Sequence, residues 1–188
     1  MTARFFYATT APLVLEGPQG RVRLAPDEGA FADGPATISG RGWLFELSGT
    51  DQPVIGRPGL AAVLSRIIDL GFAGPYIFRA DRVASKAGAQ TPLHGHRGPG
   101  IRRLAAGRIL ASVGDDHERI EAGQPWFETG TDWVVGRNIS DGENVFVRVM
   151  VLPVELKGGH SSFVPASAEE ANRPRAVDYR LFGEVDIG

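Results

Sequence analysis

Apolar and polar residues alternate in short runs along most of this chain, and turn-forming residues separate the runs. In the first fifty residues this pattern predicts strands at Arg4–Ala8, Leu13–Glu16, Arg21–Leu24 and Trp43–Leu47. One stretch departs from it. Leu60, Val63, Leu64, Ile67 and Ile68 fall on one face of a helical wheel, Pro58 suits a first turn and Gly71 suits the position after a helix end, so an amphipathic helix is expected over 58–70. From Pro75 onward, strands are expected at Tyr76–Val83, Ile101–Ala106, Arg108–Val113, Glu118–Glu121, Trp126–Glu128, Trp133–Asn138 and Val145–Leu152. Gly98-Pro99-Gly100, Gly114-Asp115-Asp116, Gly123-Gln124-Pro125 and Ser140-Asp141-Gly142 mark the turns between them. Ser161–Val164 and Tyr179–Phe182 add late strands, and Ser167–Ala171 one helical turn.

Strands punctuated this often define an all-β sandwich or barrel rather than a βαβ fold. The 25 glycines and 13 prolines among 188 residues agree with a turn-rich chain. A formal net charge of −2 leaves no basic excess for nucleic-acid phosphates. The 18 arginines against 2 lysines are the skew that genomic base composition gives, so they do not by themselves indicate anion recognition. With no cysteine there are no disulfides, thiolate nucleophiles or cysteine metal sites. No apolar run has membrane-spanning length, and nothing near Met1 reads as a signal peptide, so a cytoplasmic protein without a membrane partner is the expectation.

The chemistry is concentrated at His94-Gly95-His96. Residues i and i+2 of a strand share a face, so two imidazoles at this spacing can reach one metal ion, and the glycine keeps the other face clear. GxSxG, Walker and GxGxxG motifs are absent.

The stretch from His94 to Gly107 resembles the first motif of the cupin family, which has an HxH pair, a glutamate, and a glycine seven residues after that glutamate; Gly107 occupies the glycine position. Gly123-Gln124-Pro125-Trp126-Phe127-Glu128, with Asn138, resembles the frame of the second motif. The resemblance covers about residues 75–155. It implies a double-stranded β-helix, or jelly-roll barrel, as the core of a single domain spanning 1–188, with a β-rich extension over 1–74 and a C-terminal extension over 156–188. It also implies a homodimer. Two of the family's metal ligands are missing. Gly100 stands at the glutamate position, and the second-motif histidine is replaced by Trp133 or Val134, depending on the frame.

Within that resemblance His94 and His96 are the metal ligands, for Fe, Mn, Ni or Zn, and Glu128 is the substitute third donor. Arg102 points into the barrel if it shares the face of position 100, and then needs a carboxylate or an anionic ligand. Trp126, Trp133 and Phe146 supply apolar lining, and His160 closes over the mouth. Two functions follow for a small-molecule ligand. The retained HxH pair favours a metal-dependent enzyme of oxygenase or isomerase type. The missing ligands favour a metal-free barrel that binds a small, anionic molecule without catalysis.

Overall fold

The computed structural model describes residues 2–8, 13–15, 22–25, 30–33, 36–38, 42–49, 60–71 and 73–187. Its strands are β1 (Thr2–Ala8), β2 (Leu13–Leu15), β3 (Val22–Ala25), β4 (Ala30–Asp33), β5 (Ala36–Ile38), β6 (Gly42–Ser48), β7 (Leu60–Ile67), β8 (Tyr76–Ser85), β9 (His94–His96) and β10 (Gly100–Ala106). They continue with β11 (Arg108–Val113), β12 (Asp116–Glu121), β13 (Pro125–Glu128), β14 (Val134–Asn138), β15 (Asn144–Pro153), β16 (Phe163–Pro165) and β17 (Asp178–Ile187). A single-turn helix, α1 (Ala168–Ala171), is capped by Ser167, whose hydroxyl accepts from the Glu170 amide.

Strands β8 to β15 form two facing four-stranded layers in the orders β8-β15-β10-β13 and β9-β14-β11-β12. That interleaving, with every pairing antiparallel, is a jelly roll. The C-terminal segment extends both layers, β17 beside β8 and β16 beside β9. The first layer is the floor of the barrel and the second its roof.

A third sheet, β4-β3-β6-β1-β7, lies outside the floor. Phe45 and Leu47 of β6, with Ile68, pack on Phe78, Ala80, Ile101, Val147, Val149 and Val151. Both faces of the floor are therefore covered, which is why β8 and β15 are buried nearly throughout. Alternation then sends Arg79, Asp81, Arg102 and Arg148, with Val83 and Phe146, into the lumen, and Phe78, Ala80, Ile101, Val147 and Val149 toward the outer sheet.

The expected helix over 58–70 is a strand. Residues 60–67 form β7 and pair antiparallel with β1, and Val63 is the extra residue of a bulge, because Phe5 faces Leu64 while Phe6 faces Ala62. A packed helix would bury its apolar stripe, yet Val63 is 47% and Ile67 78% exposed, while Leu64, Ile68 and Leu70 meet the core. Apolar residues spaced three and four apart fit a helical wheel, but β-branched Val63 and Ile67 on a short run beside an unpaired edge of β1 favour the extended form. Pro58 lies outside the described residues, as do Glu16 and Arg21 at the ends of two expected strands. The short strands β4 and β5 carry too little alternation to be read from sequence. From residue 76 the expected strands are present with ends shifted by a few residues, and Tyr179–Phe182 proves to be part of a ten-residue strand.

Candidate ligand site

The lumen holds a cavity of about 280 Å³, room for about nine waters, between floor and roof. Its floor is a cross-strand row. Trp126 of β13 faces Arg102 of β10, Arg102 faces Arg148 of β15, and Arg148 faces Asp81 of β8. Each guanidinium has a carboxylate on its far side. Arg148 Nε donates to Asp81 Oδ1 at 2.6 Å, and Arg102 Nη2 lies 2.6 Å from Glu128 Oε2. Arg102 Nη1 donates to its own strand at Gly100 O (2.7 Å), and Trp126 Nε1 donates to Glu128 Oε1 (2.9 Å).

The two arginines stand directly opposite one another on neighbouring strands, an arrangement in which like charges repel. Arg102 is 1% exposed, and burial lowers its pKa to about 10 although Glu128 acts to raise it. Burial also pulls on Arg148, but the charge and hydrogen bond of Asp81 outweigh it and the pKa is raised. Both guanidiniums line the cavity.

The Arg102–Glu128 contact is close but not aligned as a hydrogen bond. Among the described residues neither Nη2 of Arg102 nor Oε2 of Glu128 has a hydrogen-bond partner.

The two histidines come from β9 in the roof. His94 Nδ1 meets Pro92 O at 2.9 Å, and because a carbonyl only accepts, that nitrogen carries the proton. Ser162 Oγ lies 3.3 Å from His96 Nδ1 and 3.8 Å from Met150 Sδ, and its hydroxyl can serve either. His96 Nε2 lies 3.6 Å from Glu128 Oε2. Burial lowers both histidine pKa values, that of His96 well below its ordinary value, with Arg102 and Arg148 adding to the effect on His96. Both rings are neutral at pH 7.

The remaining wall is apolar. Phe146 packs edge-on against Trp126 (ring centroids 5.3 Å apart), with Ile109, Ala111, Val83 and Val134 around them. At the mouth, Phe163 stacks on His94 with centroids 4.6 Å apart, and the Arg175 guanidinium lies 4.2 Å above Phe163. Tyr179 also lines the mouth, and burial, with the negative charge of Asp81, pushes its pKa up to about 12.

His94, His96, Glu128, Arg102, Trp126 and Phe146 are thus brought together around one cavity. Two expected residues are not. Trp133 is 45% exposed and lies outside the cavity, because β14 turns its neighbour Val134 inward and alternation sends Trp133 out. His160 is exposed; its carbonyl accepts from Arg79 Nη1 at 2.7 Å, while the places at the mouth are taken by Ser162 and Phe163. Arg79, whose Nε donates to Glu184 Oε1 at 2.6 Å and whose Nη2 donates to the Leu156 carbonyl, ties β17 and the loop after β15 to the floor. Sequence reading missed Arg79, Arg148, Asp81, Arg175 and Tyr179. For Arg148 there was a signal, a lone arginine in the centre of the apolar run Val145–Leu152.

The glycine positions of the motif resemblance have physical reasons. Gly107 has φ +81°, and a Cβ there would meet Ser140 Oγ at 2.6 Å. A Cβ at Gly100 would come within 2.4 Å of Val149 O, so no side chain, and no metal-binding glutamate, fits there. Asn138 is buried and its Nδ2 donates to Ser85 O and Gly142 O, closing the turn before β15.

No family model matches this chain, and no curated protein matches it. Its fold is similar to solved structures that include cupins. An RmlC-like cupin from Shewanella frigidimarina matches over 39% of this chain and 65% of its own, with 15% identity and a TM-score of 0.36. A cupin-superfamily sugar phosphate isomerase from Silicibacter pomeroyi matches over 53% of this chain and 76% of its own, at 15% identity and 0.36. AerE from Microcystis aeruginosa matches over 80% of this chain and 88% of its own, at 11% identity and 0.48. The assignment to the jelly-roll class rests on the strand order and register of this chain. No helix among the described residues is long and apolar enough to cross a membrane.

Proposed function

We propose that the barrel binds a small organic anion, whose carboxylate bridges Arg102 and Arg148 while its apolar body lies against Trp126 and Phe146. The observation that carries this is the pair of guanidiniums, Arg102 buried and Arg148 partly so, set opposite one another across β10 and β15 and facing a cavity. A carboxylate between them relieves their repulsion and offers each an acceptor in the planar geometry arginine prefers.

A divalent metal at His94, His96 and Glu128 fits this donor set less well. Arg102 already compensates the Glu128 carboxylate, and it stands with Arg148 where a dication would be repelled. Among the described residues no group of three His, Asp or Glu side chains is placed to hold a metal ion. We therefore assign the histidines no ligand role.

Calorimetric titration with 3-phenylpropanoate, on protein purified without a tag, tests the reading. Binding is expected in metal-free buffer, unchanged by EDTA, and weakened at least ~10-fold in Arg148→Gln. Binding that disappears with EDTA and returns with a divalent metal would restore the metal reading.

A further inference from the structure

Trp126 lines two cavities at once. Besides the lumen, a cavity of about 210 Å³ lies between β12, the last strand of the roof, and β13, the last strand of the floor, which share no ladder among the described residues. Ala111, Trp126, Glu128 and Val134 border both spaces, so these four residues form the partition between them. Ala111 and Val134 are small, and the bulk of the partition is the indole. It is held from two sides: Nε1 donates to Glu128 Oε1 at 2.9 Å, and Phe146 meets the ring edge-on with centroids 5.3 Å apart.

The partition stands at one end of the charged row. Along the floor the order is Trp126, Arg102, Arg148 and Asp81, on β13, β10, β15 and β8. A carboxylate held between Arg102 and Arg148 lies about 7 Å, one and a half strand spacings, from the strand that carries Trp126. On the far side of Arg148 stands the Asp81 carboxylate, an unfavourable surround for an apolar body, so the body runs toward the indole. Beyond the indole, exposed Asp116 and Glu118 line the second cavity and disfavour entry of an anion from that side. The charged head therefore stays on the arginines and the tail meets Trp126. We propose that Trp126 sets the length of the organic anion that the lumen accepts, by closing its passage into the second cavity. The proposal rests on the reading of the lumen as an organic-anion site.

The test is calorimetric titration with 3-phenylpropanoate and with 8-phenyloctanoate, which carries the same two ends on a longer chain. The wild-type protein is expected to bind 3-phenylpropanoate at least ~10-fold more tightly, because the longer chain overfills the space in front of the indole. Trp126→Leu opens the partition and keeps an apolar side chain. In it the ratio of 8-phenyloctanoate to 3-phenylpropanoate affinity should rise at least ~10-fold, since each methylene buried in the second cavity tightens binding about fourfold. A barrel that is merely destabilised weakens both probes together and leaves the ratio where it was. Val134→Ala widens the partition from the roof, should raise the same ratio at least about threefold, and serves if the tryptophan variant does not fold. A wild-type preference for 8-phenyloctanoate, or a ratio unchanged in the variant that folds, overturns the role of Trp126 and leaves the anion site standing. Failure of both carboxylates to bind the wild-type protein overturns the anion reading, and this inference with it.

Discussion

Replacing Arg102 by methionine isolates the ion pair at the centre of the site. The methionine keeps most of the apolar stem and removes the guanidinium, which leaves the Glu128 carboxylate without its counter-charge and Gly100 O without the Nη1 donor. Breaking a buried pair by deleting one partner costs about 3–5 kcal/mol. Glu128 belongs at the lower end, because its side chain is 16% exposed and faces a cavity that water can enter. The lost hydrogen bond to Gly100 O adds about 1 kcal/mol. Arg102→Met should therefore lower unfolding free energy by about 4 kcal/mol, read as a fall in urea midpoint with an unchanged slope. Glu128→Gln in the same background removes the orphaned charge while leaving Trp126 Nε1 its acceptor. The double variant should recover all but about 1–1.5 kcal/mol, the Gly100 contribution together with some loss of packing. If the double variant is as unstable as Arg102→Met, the cost does not come from an uncompensated carboxylate, and the charged row has been misread.

Two further outcomes follow from the same geometry. His94 and His96 are held neutral by burial with lowered pKa values, so below the ordinary histidine pKa of 6.5 the unfolded chain takes up protons that the folded one does not. Stability should be full above that pH and fall as pH drops below it, by no more than about 1.4 kcal/mol per pH unit for each histidine; a urea midpoint that stays flat between pH 7.5 and 5.5 would contradict this. Gly100→Ala should destabilise by roughly 2–3 kcal/mol, because its Cβ would lie 2.4 Å from Val149 O and 2.8 Å from Met150 Cγ, forcing β10 and β15 apart at the cavity floor; an unchanged thermal midpoint would show that the strands yield freely.

The barrel was legible because its signals are local. Turn residues at Gly98-Pro99-Gly100, Gly114-Asp115-Asp116 and Gly123-Gln124-Pro125 bound runs of alternating residues, and alternation alone was enough to put Arg102 on the face of Gly100 and His94 on the face of His96. Trp133 was placed by counting along the motif, which left Trp133 or Val134 at one position, and the structure turns Val134 to the cavity and Trp133 out. The 58–70 segment failed for another reason: its apolar spacing fits two periods, and the edge of β1 settled which one formed.

By itself the sequence determined an all-β chain with strands from residue 75 onward in the right places, an HxH pair on one strand face, and Arg102 on the face of position 100, without fixing whether that face is the lumen. Only the tertiary structure decided what those residues meet. Arg148 is far from Arg102 in sequence, and no local pattern reports that β10 and β15 register them against one another. Glu128 is a plausible metal donor in a motif and a partner of Arg102 in the barrel, because the side chain across the strand, rather than its own neighbours in the chain, sets its charge balance. The covering of the floor by the outer sheet likewise turned strands that alternate charged with apolar residues into fully buried ones, leaving the charged face no exit but the cavity. Register and layer packing are long-range properties, and they convert a pair of histidines and a scatter of arginines into a site with a definite electrostatic character.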